Sequence, residues 1–145
     1  MKNLMTTQVK RFNYLMNEID TAYHEAALKL GLSDSASMIL YTICNLGGSC
    51  LLSDIYGLSG ISRQTLNSAL RKLEKDGIVS LAASDGKKKT VSFTDKGREL
   101  AQRTAVRLIG IENEIFAAWP KEEQDLYLSL TQKYLDAFRA KISEI

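Results

Sequence analysis

Apolar residues recur every third or fourth position along nearly all of this 145-residue chain, and one stretch between Ile78 and Phe93 breaks the pattern. There Ile78-Val79-Ser80-Leu81-Ala82 and Thr90-Val91-Ser92-Phe93 read as two strands, joined by Ser84-Asp85-Gly86-Lys87. Asp-Gly between two apolar runs is a strong short-range hairpin signal. A lone two-stranded hairpin is marginally stable in water, so this one must lean on the helices around it. The expected fold is mainly α with a small β-hairpin, in a single domain over residues 1–145.

The flanking periods place the helices. Val9, Phe12, Met16, Ile19, Tyr23, Ala26 and Leu30 form one apolar stripe, predicting a helix over about 6–30 that Gly31 closes. Ser33, Asp34 and Ser35 supply caps for a second helix through Ile39, Ile43 and Leu46, which Gly47-Gly48 ends. Residues 49–58 read as a short third helix with Leu51, Leu52, Ile55 and Leu58 inward, and Ser59-Gly60-Ile61 as a turn. Ser62 caps a fourth helix over 63–76 that buries Leu66, Ala69, Leu70 and Leu73. After the hairpin, Thr94-Asp95 starts a long fifth helix to about residue 118, Trp119-Pro120 breaks it, and a sixth runs to the C-terminus with Leu126, Leu130, Tyr134, Phe138 and Ile142 in its stripe.

The formal net charge is only +2, but it is unevenly spread. Residues 60–98 hold nine basic against four acidic side chains, a net of +5, and the remainder holds ten against thirteen, a net of −3. A basic centre between acidic flanks points to a polyanionic partner. No apolar run reaches the ~18 to 20 residues of a membrane span. The N-terminal residues lack the pattern of a secretory signal. Cys44 and Cys50 make no disulfide framework, so a reducing cytoplasm is the expected location. One histidine, no nucleophile–base pair, no phosphate-binding glycine loop and no metal-ligand spacing argue against an enzyme, a metal site or a cofactor.

Two short helices, a turn, a further helix and a basic hairpin make a winged helix-turn-helix over residues 33–93. The outer side of the fourth helix carries Arg63, Gln64, Thr65, Asn67, Ser68 and Arg71, all hydrogen-bond donors and none an acid. Asn and Gln pair bidentately with adenine and Arg with guanine, and a B-form major groove admits one helix. Ser62 and the first free N–H groups of that helix suit a phosphate. Lys87, Lys88 and Lys89 at the hairpin tip can reach a flanking groove or its backbone.

On these residues the chain resembles the multiple antibiotic resistance regulator (MarR) family of bacterial transcription factors. The segment from Gly60 through Ser62-Arg63-Gln64-Thr65-Leu66-Asn67-Ser68 to Gly77-Ile78-Val79 is similar to that family's recognition helix and its exit into the wing. Phe93-Thr94-Asp95-Lys96-Gly97-Arg98 is similar to the start of the helix that follows. The resemblance implies a homodimer whose terminal helices, here 6–30 and 94–145, interlock, and a transcriptional repressor that binds a pseudo-palindromic double-stranded DNA operator. It also implies release by a small aromatic or phenolic ligand between the dimerisation helices and the DNA module, with Phe12, Met16, Tyr23 and His24 as candidate lining residues. The family's wing commonly carries Asp-x-Arg; here Asp85-Gly86-Lys87 puts a more strongly hydrated lysine there. Two alternatives stand beside this reading. One is a redox-responsive regulator acting through Cys44, read as a buried thiol, or Cys50, read as exposed. The other is a winged-helix module that binds protein.

Overall fold

Thr6, Ser33, Ser62 and Thr94 each accept a hydrogen bond from the backbone N–H three residues on, and each starts a helix. The computed structural model describes residues 4–57, 61–83 and 85–145. Its elements are α1 (Thr7–Lys29), α2 (Asp34–Asn45), β1 (Ser49–Leu51), α3 (Leu52–Gly57), α4 (Arg63–Lys75), β2 (Val79–Ala83), β3 (Lys89–Phe93), α5 (Asp95–Arg103), α6 (Ala105–Ala117) and α7 (Lys121–Ile142). They fall into two units, Met1–Leu108 and Ile109–Ile145. The expected inward Leu58, the turn residues Ser59 and Gly60, and Ser84 of the wing lie outside the described residues.

In the first unit, Ile39, Leu40 and Ile43 of α2 are completely buried. Around them pack Ile55 of α3, Leu66, Leu70 and Leu73 of α4, and Val79, Val91 and Phe93 of the sheet. The inward face of α4 is therefore the one its period predicts, with Ala69 half-buried at its margin.

The hairpin does not stand alone. β3 is the central strand of a three-stranded antiparallel sheet ordered β1-β3-β2. Val79 pairs with Phe93 and Ala83 with Lys89 on one side, and Cys50 pairs with Val91 on the other. This corrects the expected third helix over 49–58: its first turn is the strand β1, and among the described residues of that stretch the helix comprises 52–57. Three residues carry no readable period. The partner that makes them a strand lies 43 positions away, where the Ser49 and Ser92 hydroxyls share a hydrogen bond of 2.7 Å. The helix then starts where the Leu51 N–H donates to Asp54 Oδ2 at 3.0 Å, one half of a capping box.

The expected continuous helix from 94 to 118 is divided at Thr104, whose φ of −126° and ψ of −89° leave helical space. The buried Thr104 hydroxyl donates to the Leu100 carbonyl at 2.8 Å, and its N–H bonds to Ala101 three residues back. Back-bonding of this kind competes with the helical ladder and bends it.

The exits of α4 and of the sheet meet at one junction. The Thr94 hydroxyl donates towards the carbonyls of Gly77 and Ile78 and accepts from the Gly97 N–H at 3.0 Å. The Thr94 N–H itself donates to the Ile78 carbonyl at 3.1 Å. Gly97 lies so close to that strand entry that a Cβ built on it would stand 1.9 Å from the Ile78 oxygen.

The terminal helices bury little. Ala27 is the one buried residue of α1, while Val9, Met16, Ile19 and Tyr23 stay 41–45% exposed. α7 has no buried residue, and Leu126, Leu130, Tyr134, Phe138 and Ile142 are 44–57% exposed. Within the second unit, Phe116, Trp119 and Tyr127 pack ring to ring at 5.2 to 6.0 Å across the turn into α7. Tyr134 and Phe138 stack along the open face of α7.

Replacing Gly97 with Ala drives a methyl group into backbone and should cost about 3 kcal/mol, the upper part of the overpacking range. Thr94→Ala removes one cap and should cost about 1 kcal/mol. Urea unfolding of the two variants should rank them in that order.

Candidate nucleic-acid interface

Burial of Leu66, Leu70 and Leu73 turns the opposite side of α4 to solvent. Arg63, Gln64, Thr65, Ser68 and Arg71 are exposed along it, and Asn67 is half-buried. Ser62 precedes them as the N-cap: its hydroxyl oxygen accepts from the Thr65 N–H at 3.2 Å and is 2.9 Å from the Thr65 hydroxyl. Both hydroxyls are thereby engaged with each other at the helix start.

Lys87 and Lys88 occupy the turn of the wing, and Lys89 opens β3 opposite Ala83. Gly86 has φ +76°, a left-handed conformation that the tight turn needs and glycine adopts without cost. All three lysines are exposed. Among the described residues, neither they nor Arg63 and Arg71 form an ion pair with a carboxylate. Unpaired cations on a helix and on an adjacent turn are free to meet an external anion.

One residue of this surface has no signal in the sequence pattern. Tyr56, near the end of α3, donates its hydroxyl hydrogen to Asn67 Oδ1, and the Arg63 guanidinium carbon sits 4.8 Å from its ring centroid. A tyrosine in a six-residue helix reads as core filler. Only the packing of α3 against α4 makes it a neighbour of two candidate readers at once.

The candidate ligand residues all lie on α1. Phe12 is half-buried, and Met16, Tyr23 and His24 are exposed. His24 Nδ1 is 2.8 Å from both carboxylate oxygens of Asp34, linking α1 to the first turn of α2. The thiols differ from expectation. Cys50, expected at the surface, is buried because β1 places it against Val91, and Cys44, expected to be buried, is half-buried. Burial pushes both thiols above the ordinary cysteine range, and the nearby Asp54 charge raises Cys50 further. Among the described residues no group of three or more His, Cys, Asp or Glu side chains could hold a metal ion, and no helix is long and apolar enough to cross a membrane.

A helix-turn-helix backed by a three-stranded sheet, with a lysine-tipped hairpin beside its last helix, is a winged helix-turn-helix. The MarR family model matches residues 30–89, from the end of α1 into the wing. Whole-chain likeness agrees. A MarR family regulator from Neisseria meningitidis superposes with a TM-score of 0.83 at 17% identity, covering 96% of this chain and 99% of that one. A MarR family transcriptional regulator from Silicibacter pomeroyi gives 0.65 at 25% identity over 85% and 86%. BpsR from Bordetella bronchiseptica, whose DNA binding is regulated by 6-hydroxynicotinic acid, gives 0.63 at 17% over 86% and 98%. No curated relative matches the chain. Residues 30–89 thus match the MarR family model, and the chain shares the fold of MarR family regulators.

Because the thiolate is the reactive form, the raised thiols predict slow alkylation of both cysteines in the folded protein at pH 7. The rate should rise only as the pH passes above the ordinary cysteine range. Iodoacetamide labelling followed by mass spectrometry reads it, with the urea-unfolded chain as the fast reference.

Proposed function

We propose that this protein is a sequence-specific double-stranded DNA-binding regulator, a repressor, that acts as a homodimer. The carrying observation is the acid-free donor face of α4 from Arg63 to Arg71 beside the unpaired Lys87, Lys88 and Lys89. The apolar side of α4 is fixed in the core, so its outer side can enter a major groove as a rigid body. Gln64, Asn67 and Arg71 stand where base edges would lie, and the wing lysines take flanking phosphates. Lysine at position 87 makes that flank an electrostatic anchor more than a narrow-groove reader.

Dimerisation follows from what the terminal helices leave open. Half-exposed apolar stripes on α1 and α7 are costly in water, and a second copy is the partner the family resemblance supplies. Two recognition helices related by a two-fold axis would read half-sites ~34 to 36 Å apart, which makes the operator a pseudo-palindrome. The effector reading extends from the Bordetella relative: a small aromatic acid or phenol beside Phe12, Met16, Tyr23 and His24 would release DNA. It does so only to the extent that it prefers one spacing of the two α4 helices. The redox alternative has no support from Cys44 and Cys50, whose thiols are raised and, for Cys50, buried.

A mobility shift on the DNA upstream of the protein's own gene tests the reading; failure to bind any duplex at low salt rejects it. Replacing Lys87, Lys88 and Lys89 with Ala should weaken all sequences alike and reduce the slope of log K against log salt by about 3, near one unit per lost phosphate contact. Gln64→Ala should instead relax one base position by ~1 to 3 kcal/mol. The double variant Leu130→Glu, Phe138→Glu should sediment as a folded monomer and lose operator affinity; a dimer would reject the assignment of α7 to the interface.

A further inference from the structure

An asparagine side chain pairs with adenine through two atoms at once, its carbonyl accepting from N6 and its NH2 donating to N7. Asn67 has its carbonyl already engaged: Oδ1 accepts the Tyr56 hydroxyl hydrogen in a part-buried contact between α3 and α4. Among the described residues its Nδ2 has no intramolecular partner. One of the two lone pairs of Oδ1 is thus taken and that oxygen is held towards Tyr56, so the end of the amide left wholly to an external partner is its pair of N–H donors. Such a pair fits guanine, whose major-groove edge offers the two acceptors O6 and N7.

We propose that Tyr56 is a positioning residue that sets the base preference of Asn67, converting it from an adenine reader into a donor that selects guanine. The inference rests on the DNA-binding reading above. The same ring carries Arg63 over its face at 4.8 Å. Stacking on an aromatic face leaves the guanidinium edge free to donate. A phenylalanine keeps the ring and loses only the hydroxyl, so Tyr56→Phe separates the tether from the stacking. Asn67→Gln reaches the same end without touching Tyr56, because one more methylene carries the amide past the hydroxyl.

The test is selection and sequencing of a random duplex pool with the full-length wild type, Y56F, N67Q, N67A and the double variant Y56F/N67A. N67A marks the relevant base as the one whose preference disappears. At that position the wild type should enrich guanine, and Y56F and N67Q should shift relative affinity towards adenine by about tenfold. Adding Y56F to N67A should change nothing further, since Tyr56 acts there through Asn67. If Y56F does not fold, as judged by its thermal melt, N67Q decides alone. Enrichment of adenine by the wild type, the same base in wild type and N67Q, or a Y56F shift that persists in the N67A background overturns the inference while the DNA-binding reading stands. A wild-type chain that enriches no duplex overturns both.

Discussion

The DNA module hangs on the approach of α5 to the backbone at Ile78. With no side chain at Gly97, the first turn of α5 comes close enough that a single methyl group would overlap the Ile78 carbonyl. Thr94 caps that turn and also bonds the Gly77 and Ile78 carbonyls, and the Lys96 ammonium donates to the Asp76 carbonyl at 2.8 Å. One junction therefore satisfies the helix N-terminus, the end of α4 and the entry to β2 together. It fixes α4 against the sheet, and so sets where the wing stands relative to the recognition face. Gly77, with φ +72°, makes the reversal that brings these strands of backbone together.

Two kinds of surface are left unsatisfied. One is cationic: Arg63, Arg71 and the three wing lysines carry charge with no carboxylate against them among the described residues. The other is apolar: the stripes of α1 and α7, each open to solvent. Charge without counter-charge and apolar area without cover call for different partners, an anion and another hydrophobic face. The near-neutral total conceals this division, because the flanks that carry the apolar stripes also carry the excess of acids.

Most helices, the hairpin and the outer face of α4 were legible in the sequence, because the signals behind them are local. Caps act over three residues, a helical face repeats every three or four, and Asp85-Gly86 needs only its own backbone preferences. The failures share the opposite character. β1 exists because Ser49-Cys50-Leu51 meet a strand distant in the chain, and that pairing also buries Cys50. The division at Thr104 depends on its burial and on a hydroxyl that bonds backward, neither of which a local helical pattern records.

The candidate reading face shows the same boundary at finer scale. The sequence by itself determined that Arg63, Gln64, Thr65, Asn67, Ser68 and Arg71 share the outer side of one helix, since helical geometry follows from spacing alone. It also placed the wing lysines at the tip of a hairpin. Only the tertiary structure decided what each side chain has left to offer. Ser62 and Thr65 are occupied with capping, and Asn67 and Arg63 are held by Tyr56 from another helix. Hydrogen-bonding capacity is finite, and contacts between elements far apart in sequence determine how much of it remains for a partner.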